Sequence, residues 1–551
     1  MTPSSPLFRR SDLLLAVVVG CVAAWVLLPH AVLNPLDVSW IPGSGDHAVH
    51  YLGWEFFARE PWLQWPLTKV WSYGRGLTDS IVFTDSIPLL ALLLKPLRCW
   101  TQRPINYFGP WMVLSLVLQY LLAVAWLRCR GVEQAAARCL GLLVMLAPPL
   151  LFRTTGHTAL TSHWLLLAPL LLFELPTLWW PWAGLLVLAE LVHPYLLVMV
   201  MGLAIAYAWE RRVQLRQALR RPGFLLGLGL FGLLLAAMAV AIGYGPLKPA
   251  YVTASGYGTF RWNLLAPFTA FPSFSQIWPR WPLQTAELEG LSFPGIVLLV
   301  MGLVLVLVGR SVWRWRHPAL TMACAAMALF AMTPVIGIGP WQLDLGRLPW
   351  PLFILGDVFR ASGRFVWPLY YVVVLNILLA FATWLRPWSK RWRLGLIGLL
   401  VLVALLDLRH YRMASVAPAA PLRMNPAALA QVLERHGVNA ITFVPTTEQV
   451  PAWEEFAWAA LDVGASTNGT YLARYNRGVM EQQNQQSIAA IAERRPLVHV
   501  VYVLATPQMR ALALENYPVC SAAHGSGHCL TTLAGEQVLI PTVPSGVTPH
   551  G

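Results

Sequence analysis

Residues 41–62 read IPGSGDHAVHYLGWEFFAREPW, a carboxylate set in a glycine turn and followed by rings and imidazoles. Gly43 and Gly45 allow turns that aim Asp46 freely, and a carboxylate so placed can take a proton from a hydroxyl. His47, His50, Tyr51 and Trp54 follow at spacings that put them along one helical face. Such a face suits a sugar, because rings stack on sugar faces and carboxylates accept hydroxyl protons. It would also serve as an interfacial amphipathic helix with a Trp belt, with Trp62 and Trp65 continuing it. Downstream, Arg75, Asp79 and Asp85 precede an apolar run at 87–97, whose 11 residues are too few to cross hydrocarbon. Lipid substrates would approach there. Asp85 is placed to hold an acceptor or a metal, and equally to cap a helix before Ser86-Ile-Pro88.

Three further clusters carry polar chemistry. The segment 153–163, RTTGHTALTSH, brings Arg153, His157 and His163 to a short loop between apolar runs, where the imidazoles could hydrogen-bond a substrate or simply be satisfied polar groups. Zinc ligation is disfavoured, since no Cys or further His stands at ligand spacing. Glu190 and His193 lie in an apolar stretch one turn apart, marking a pathway or supporting a helix break. Residues 356–367, GDVFRASGRFVW, place Arg360 and Arg364 four apart before an apolar run. Their forks match phosphate oxygens; a salt bridge from Arg360 to Asp357, or contact with phospholipid head groups, is the plainer use. The stretch 257–263, YGTFRWN, could add contacts of low specificity.

These clusters need a membrane frame. Of 551 residues, 57% are apolar and 12% charged, about half the charged share of an ordinary soluble domain. Apolar runs at 13–28, 108–127, 224–242, 319–338 and 365–385 approach the roughly 20 residues that cross a bilayer. Others, at 139–152, 164–175, 179–209, 293–309 and 394–408, are shorter, longer or interrupted. Basic residues mark cytoplasmic flanks. The N-terminus and segments 128–138, 210–221, 310–316 and 386–393 hold 17 basic residues against Asp12, Glu133 and Glu210, which is the whole net charge of +14; the remainder carries 22 of each sign. The excess is therefore topological and excludes a nucleic-acid footprint as its cause. Keeping this pattern requires 179–209 to be two short crossings broken near His193-Pro194 and 87–97 not to span. About eleven crossings result, with the N-terminus inside as an uncleaved anchor.

The expected fold is a mainly α, polytopic membrane protein with a small C-terminal α/β soluble domain. Domain one is 1–409, including a large first outer loop at 29–106, and domain two is 410–551. In the tail, strand-like runs at 441–444, 498–504 and 538–540 alternate with helical stretches such as 426–436. Cys520 and Cys529, nine apart, fit a disulfide in an oxidising compartment, with two free thiols as the alternative.

The patches GDHAVHYLGW, SIVFTDSIPLLALLLKP, GHTALTSHW, VHPY and FRASGRFVW together resemble a family of bacterial multi-spanning membrane proteins of uncharacterised function, itself similar to GT-C glycosyltransferases. That resemblance implies a GT-C-like membrane domain in the bacterial inner membrane with a periplasmic tail. It implies a transferase that takes a sugar from a polyprenyl-phosphate carrier to a glycan, lipid or protein acceptor, with membrane lipids as surroundings and no nucleic acid. It carries the catalytic base to Asp46, straight after the first span, and the donor-phosphate role to Arg360 or Arg364. His47, His50, Arg75, Asp85, His157 and His163 complete the expected substrate contacts. The pattern departs from many GT-C enzymes in that Asp46 is followed by His47 rather than a second acid, so a pair with Asp85 would be made by folding. No cofactor is required; a divalent cation is compatible. The rival functions are a transporter or flippase of lipid-linked glycans, and a non-catalytic envelope assembly protein.

Overall fold

A computed structural model describes residues 8–78, 80–175, 179–244, 257–271, 274–311, 316–346, 355–356, 358–413, 420–447, 449–472, 474–520 and 528–540. Asp79 and Asp357, singled out in the sequence, lie outside them. The chain is mainly helical with a small C-terminal sheet region. It divides into two compact units: Met1–Pro35 with Asn106–Leu235 and Ser255–Pro418, and Leu36–Ile105 with Ala236–Ala254 and Ala419–Gly551.

The first unit is a bundle of apolar helices. Among the described residues, four helices are long and apolar enough to cross a membrane: Arg10–Leu27, Phe108–Cys129, Pro222–Ala241 and Ser362–Trp384. Six more are apolar but only 10–17 residues long, short of the roughly 20 that span hydrocarbon. The eleven crossings expected from charge are thus matched by four helices of full length, because loops and prolines divide several apolar runs. The stretch 179–209 is one case. It breaks at His193, whose extended backbone separates Trp180–Val192 from Pro194–Glu210 and whose Nδ1 accepts from the Tyr195 amide. Proline at the first helical position has no donor to lose and ends the helix before it.

Charge ties the helix ends. Asp12, buried on the first helix, accepts from Arg128 and from Arg138 at 2.7 Å each. At the bundle end where Trp164–Phe173 and Pro194–Glu210 finish and Pro318–Met332 begins, His317 lies 2.8 Å from Glu210 and 3.6 Å from Glu174. Glu174 also pairs with Arg130 and Arg316. Burial alone would depress the His317 pKa, but the hydrogen bonds to the two carboxylates outweigh it and raise the pKa above 6.5. A raised folded-state value contributes stability below the unfolded pKa and loses it as pH rises through the folded one. Melting of detergent-solubilised protein between pH 6 and pH 9 should therefore show a fall in the wild type that His317→Gln lacks.

The second unit joins the segment 36–105 to the tail. The strands β1 (Val335–Ile338) and β2 (Trp341–Asp344) pair antiparallel in the first unit, and the sheet of the second runs β4 (Ser466–Thr467), β3 (Ala440–Val444), β5 (Val500–Leu504), β7 (Glu536–Ile540), β6 (Cys529–Leu533). The β4, β3 and β5 pairings are parallel and those to β7 antiparallel. β3 and β5 are buried along their whole length, as continuous apolar runs covered on both faces must be. Tyr73 bridges to Thr467 in parallel, so the segment extends the sheet beyond β4. Gly43 lets the segment touch the start of the tail: a Cβ there would lie 1.9 Å from the Ala420 carbonyl oxygen. Cys520 and Cys529 are disulfide-bonded. Cross-linking so short a loop restricts the unfolded chain, so Cys520→Ala should cost about 2–3 kcal/mol, read as a lower melting midpoint that reductant no longer shifts.

Candidate functional site

In the first unit, three short elements meet around a carboxylate that sequence reasoning did not select. Glu289 ends the 3-10 turn Thr285–Gly290, and Arg364 lies in the 3-10 turn Ser362–Val366 that leads into the apolar helix Trp367–Trp384. Two glycines allow the turns to meet: a Cβ on Gly363 would fall 2.8 Å from the Gly290 nitrogen, and one on Gly290 would fall 2.8 Å from the Trp262 Cα. Arg364 Nε donates to Glu289 Oε2 at 2.6 Å. Arg153, at the end of the Pro148–Arg153 helix, donates Nη1 to the same oxygen at 3.0 Å and Nη2 to the carbonyls of Leu288 and Glu289. His157 Nε2 stands 3.8 Å from Glu289 Oε1.

Rings hold the guanidiniums in place. Arg364 lies over Tyr195, with Cζ 4.8 Å from the ring centre, and Arg153 over Trp367 at 5.3 Å; cations over ring faces gain from the ring quadrupole. The Tyr195 hydroxyl accepts from the Ala361 amide, which anchors the turn carrying Arg364. His163 packs its ring 4.4 Å from Trp367, and its Nδ1 is 2.7 Å from the Tyr371 hydroxyl. Arg153 is only 2% exposed and the Glu289 side chain 17%. Burial alone would push the Glu289 carboxyl up, but Arg153, then Arg364 and His157, hold it far below the usual carboxylate range. The carboxylate is ionised and the cluster is a charged one.

Of the residues expected at a site, His157, His163 and Arg364 therefore gather within this unit. Arg360 stands apart, over the ring of Phe260 at 5.4 Å. The 257–263 stretch is tied to the Thr285–Gly290 turn: Arg261 Nε and Asn263 Nδ2 donate to the two oxygens of the buried Glu287, each at 2.9 Å. Glu190 is buried in its helix, while His193 serves the helix break. The sequence signal for Glu289 was faint: an acidic pair, Glu287 and Glu289, just before an apolar run.

The second unit holds Asp46, His47, His50, Asp85 and Arg75. Asp46 is the first residue of the helix Asp46–Arg59, reached through Gly45 at φ 65°. Acidic residues favour this position because the helix N-terminus is electropositive. His47 and His50 are buried on that helix; Trp40 meets His47 edge-on at 5.2 Å. Gly53 lets the 81–86 segment lie on the helix, since a Cβ there would be 2.1 Å from Thr84 Oγ1, and Ser86 Oγ donates to the His50 carbonyl. The Asp85 carboxylate and the His50 ring thus come within 4.8 Å of each other. Asp85, at φ 53°, closes the turn Ile81–Thr84 and stands two residues before Ile87, the N-cap position of Pro88–Thr101. An imidazole nitrogen and a carboxylate oxygen this close could both serve as ligands to a divalent cation. Arg75 has a structural place: Nη2 donates to Thr442 Oγ1 at 2.7 Å, and its backbone joins Thr467 and Gln483. Glu55, on the helix of Asp46, is buried and gripped by Arg98.

No curated protein matches this chain. Among solved structures it is similar to the oligosaccharyltransferase of Archaeoglobus fulgidus in the apo form, with a TM-score of 0.43 and 12% identity over 90% of this chain and 69% of that one. It is similar also to the archaeal oligosaccharyltransferase AglB of the same organism in complex with an inhibitory peptide and a dolichol-phosphate, with a TM-score of 0.42, 12% identity and the same shares. The pattern of the domain of unknown function DUF6311 matches residues 17–409 and that of the DUF6311 C-terminal domain residues 428–522, and the chain belongs to the DUF6311 family.

Proposed function

We propose that this protein is an integral membrane glycosyltransferase that moves a sugar from a polyprenyl-phosphate carrier to an envelope acceptor on the periplasmic side of the bacterial inner membrane. One observation carries the reading: Arg153 and Arg364 converge on a single carboxylate oxygen, within 3.0 Å, at the head of a long apolar helix. Two guanidinium forks aimed at one oxygen suit a phosphate group, and a phosphate reached from an apolar helix end is one borne on a lipid. Asp46 is the base in this scheme. It takes the proton of the acceptor hydroxyl as that oxygen bonds to the anomeric carbon; the bond from that carbon to the carrier phosphate breaks, and Arg364 neutralises the departing phosphate. The anomeric centre inverts, and no nucleotide sugar is needed.

The reading is tested with purified protein, a polyprenyl-phosphate-linked sugar and envelope acceptors, following release of free polyprenyl phosphate together with labelled product. A wild type that carries the labelled lipid across liposomes without releasing polyprenyl phosphate would be a transporter, and the transferase reading falls.

A further inference from the structure

We propose that Glu289 is an internal counter-ion that stands in the phosphate position and is displaced when a phosphate monoester binds between Arg153 and Arg364. The inference rests on the reading of Arg364 as a phosphate-binding residue and adds a gate to it. A cation as buried as Arg153 is costly without an opposite charge beside it. Glu289 meets that need with one oxygen shared by both arginines, at 2.6 and 3.0 Å. Of the three groups, the Glu289 side chain is the most open to solvent, at 17% against 2% for Arg153 and 7% for Arg364. Its backbone is locked where the Gly290 and Gly363 turns touch, whereas its side chain, with three rotatable bonds, can swing away. A phosphate entering as it leaves keeps the arginines paired, so the exchange costs little charge imbalance.

A second observation points to a ligand richer in oxygens than one carboxylate. Among the described residues, Ser362 Oγ, Trp367 Nε1, His163 Nε2 and Thr158 Oγ1 are buried with no hydrogen-bond partner. All four belong to the cluster's own elements: Ser362 opens the turn of Arg364, Trp367 lies under Arg153, His163 packs on Trp367, and Thr158 opens the 3-10 turn Thr158–Thr161 that His157 precedes. Buried polar groups are nearly always satisfied, and a phosphate monoester offers several acceptor oxygens where the carboxylate offers two. An amide at position 289 keeps the shape and removes the competing charge.

The experiment measures binding of farnesyl phosphate, inorganic phosphate and farnesol to the purified full chain in detergent by calorimetry. Wild type should bind farnesyl phosphate and not farnesol, and Glu289→Gln should bind it at least about ten-fold more tightly. Glu289→Asp, one methylene shorter, should shift affinity in the same direction and serves if the amide variant does not fold. Equal or weaker binding by both variants, with the wild type binding normally, overturns the counter-ion proposal and leaves the transferase reading intact. A wild type that binds neither phosphate overturns both. Inorganic phosphate that binds as tightly as farnesyl phosphate, and tightens equally in Glu289→Gln, supports the exchange but assigns the site to free phosphate rather than to a lipid carrier.

Discussion

In the proposed transferase, Asp46→Asn should lower sugar transfer on the order of a thousand-fold while leaving the protein inserted and folded. The size follows from removing a general base, which contributes about 10²–10⁴-fold. The mildness elsewhere follows from the position. Asp46 opens a helix through a glycine with positive φ, and Asn is nearly isosteric with Asp and tolerated at helix starts. The buried side chains of the following helix, including Tyr51, which stacks on Trp458 at 5.5 Å, keep their partners. The measurement is initial-rate product formation beside a melting curve for each variant. A rate within a few-fold of wild type removes Asp46 as the base. A lost rate with a collapsed melting curve calls for Asp46→Ser, a small polar side chain without a carboxylate at the same first helical position, which should be just as inactive.

Arg153→Ala should destabilise the first unit by about 3–5 kcal/mol, the cost of stripping one partner from a buried ion pair. The guanidinium lies over Trp367 and Phe152, donates to Glu289 and to two backbone carbonyls, and is almost wholly buried. Its removal leaves a cavity and the Leu288 and Glu289 carbonyls without that donor. Lysine would not repair it, because a point charge cannot bridge a side-chain oxygen and two carbonyls while lying flat on a ring. In a double-mutant cycle with Glu289→Ala the combined loss should fall short of the sum by about 1–3 kcal/mol, as directly paired groups do. Additive losses would show that the pair is not energetically coupled and that packing on Trp367 accounts for the effect.

Periodicity, composition and charge were enough to specify a mainly helical, apolar chain, the break at His193-Pro194 and strands in the tail, and they made a Cys520–Cys529 bond one of two readings, which the fold resolves. These depend on neighbours in sequence: a proline without a donor, an apolar run of strand length, two cysteines nine apart. The number of full-length crossings could not be read this way, since hydropathy marks apolar runs but loops and prolines decide where each becomes a helix. Glu289 was invisible for another reason. Its partners Arg153 and Arg364 are 136 and 75 positions away, and only the close approach at Gly290 and Gly363 turns three scattered charges into one cluster. Arg75 is another case: four residues before Asp79 in the sequence, it donates in the fold to Thr442 of a strand 367 positions away. Local patterns report on local hydrogen bonding and burial, whereas a charged site depends on which distant groups share a low-dielectric space, and tertiary packing alone decides that.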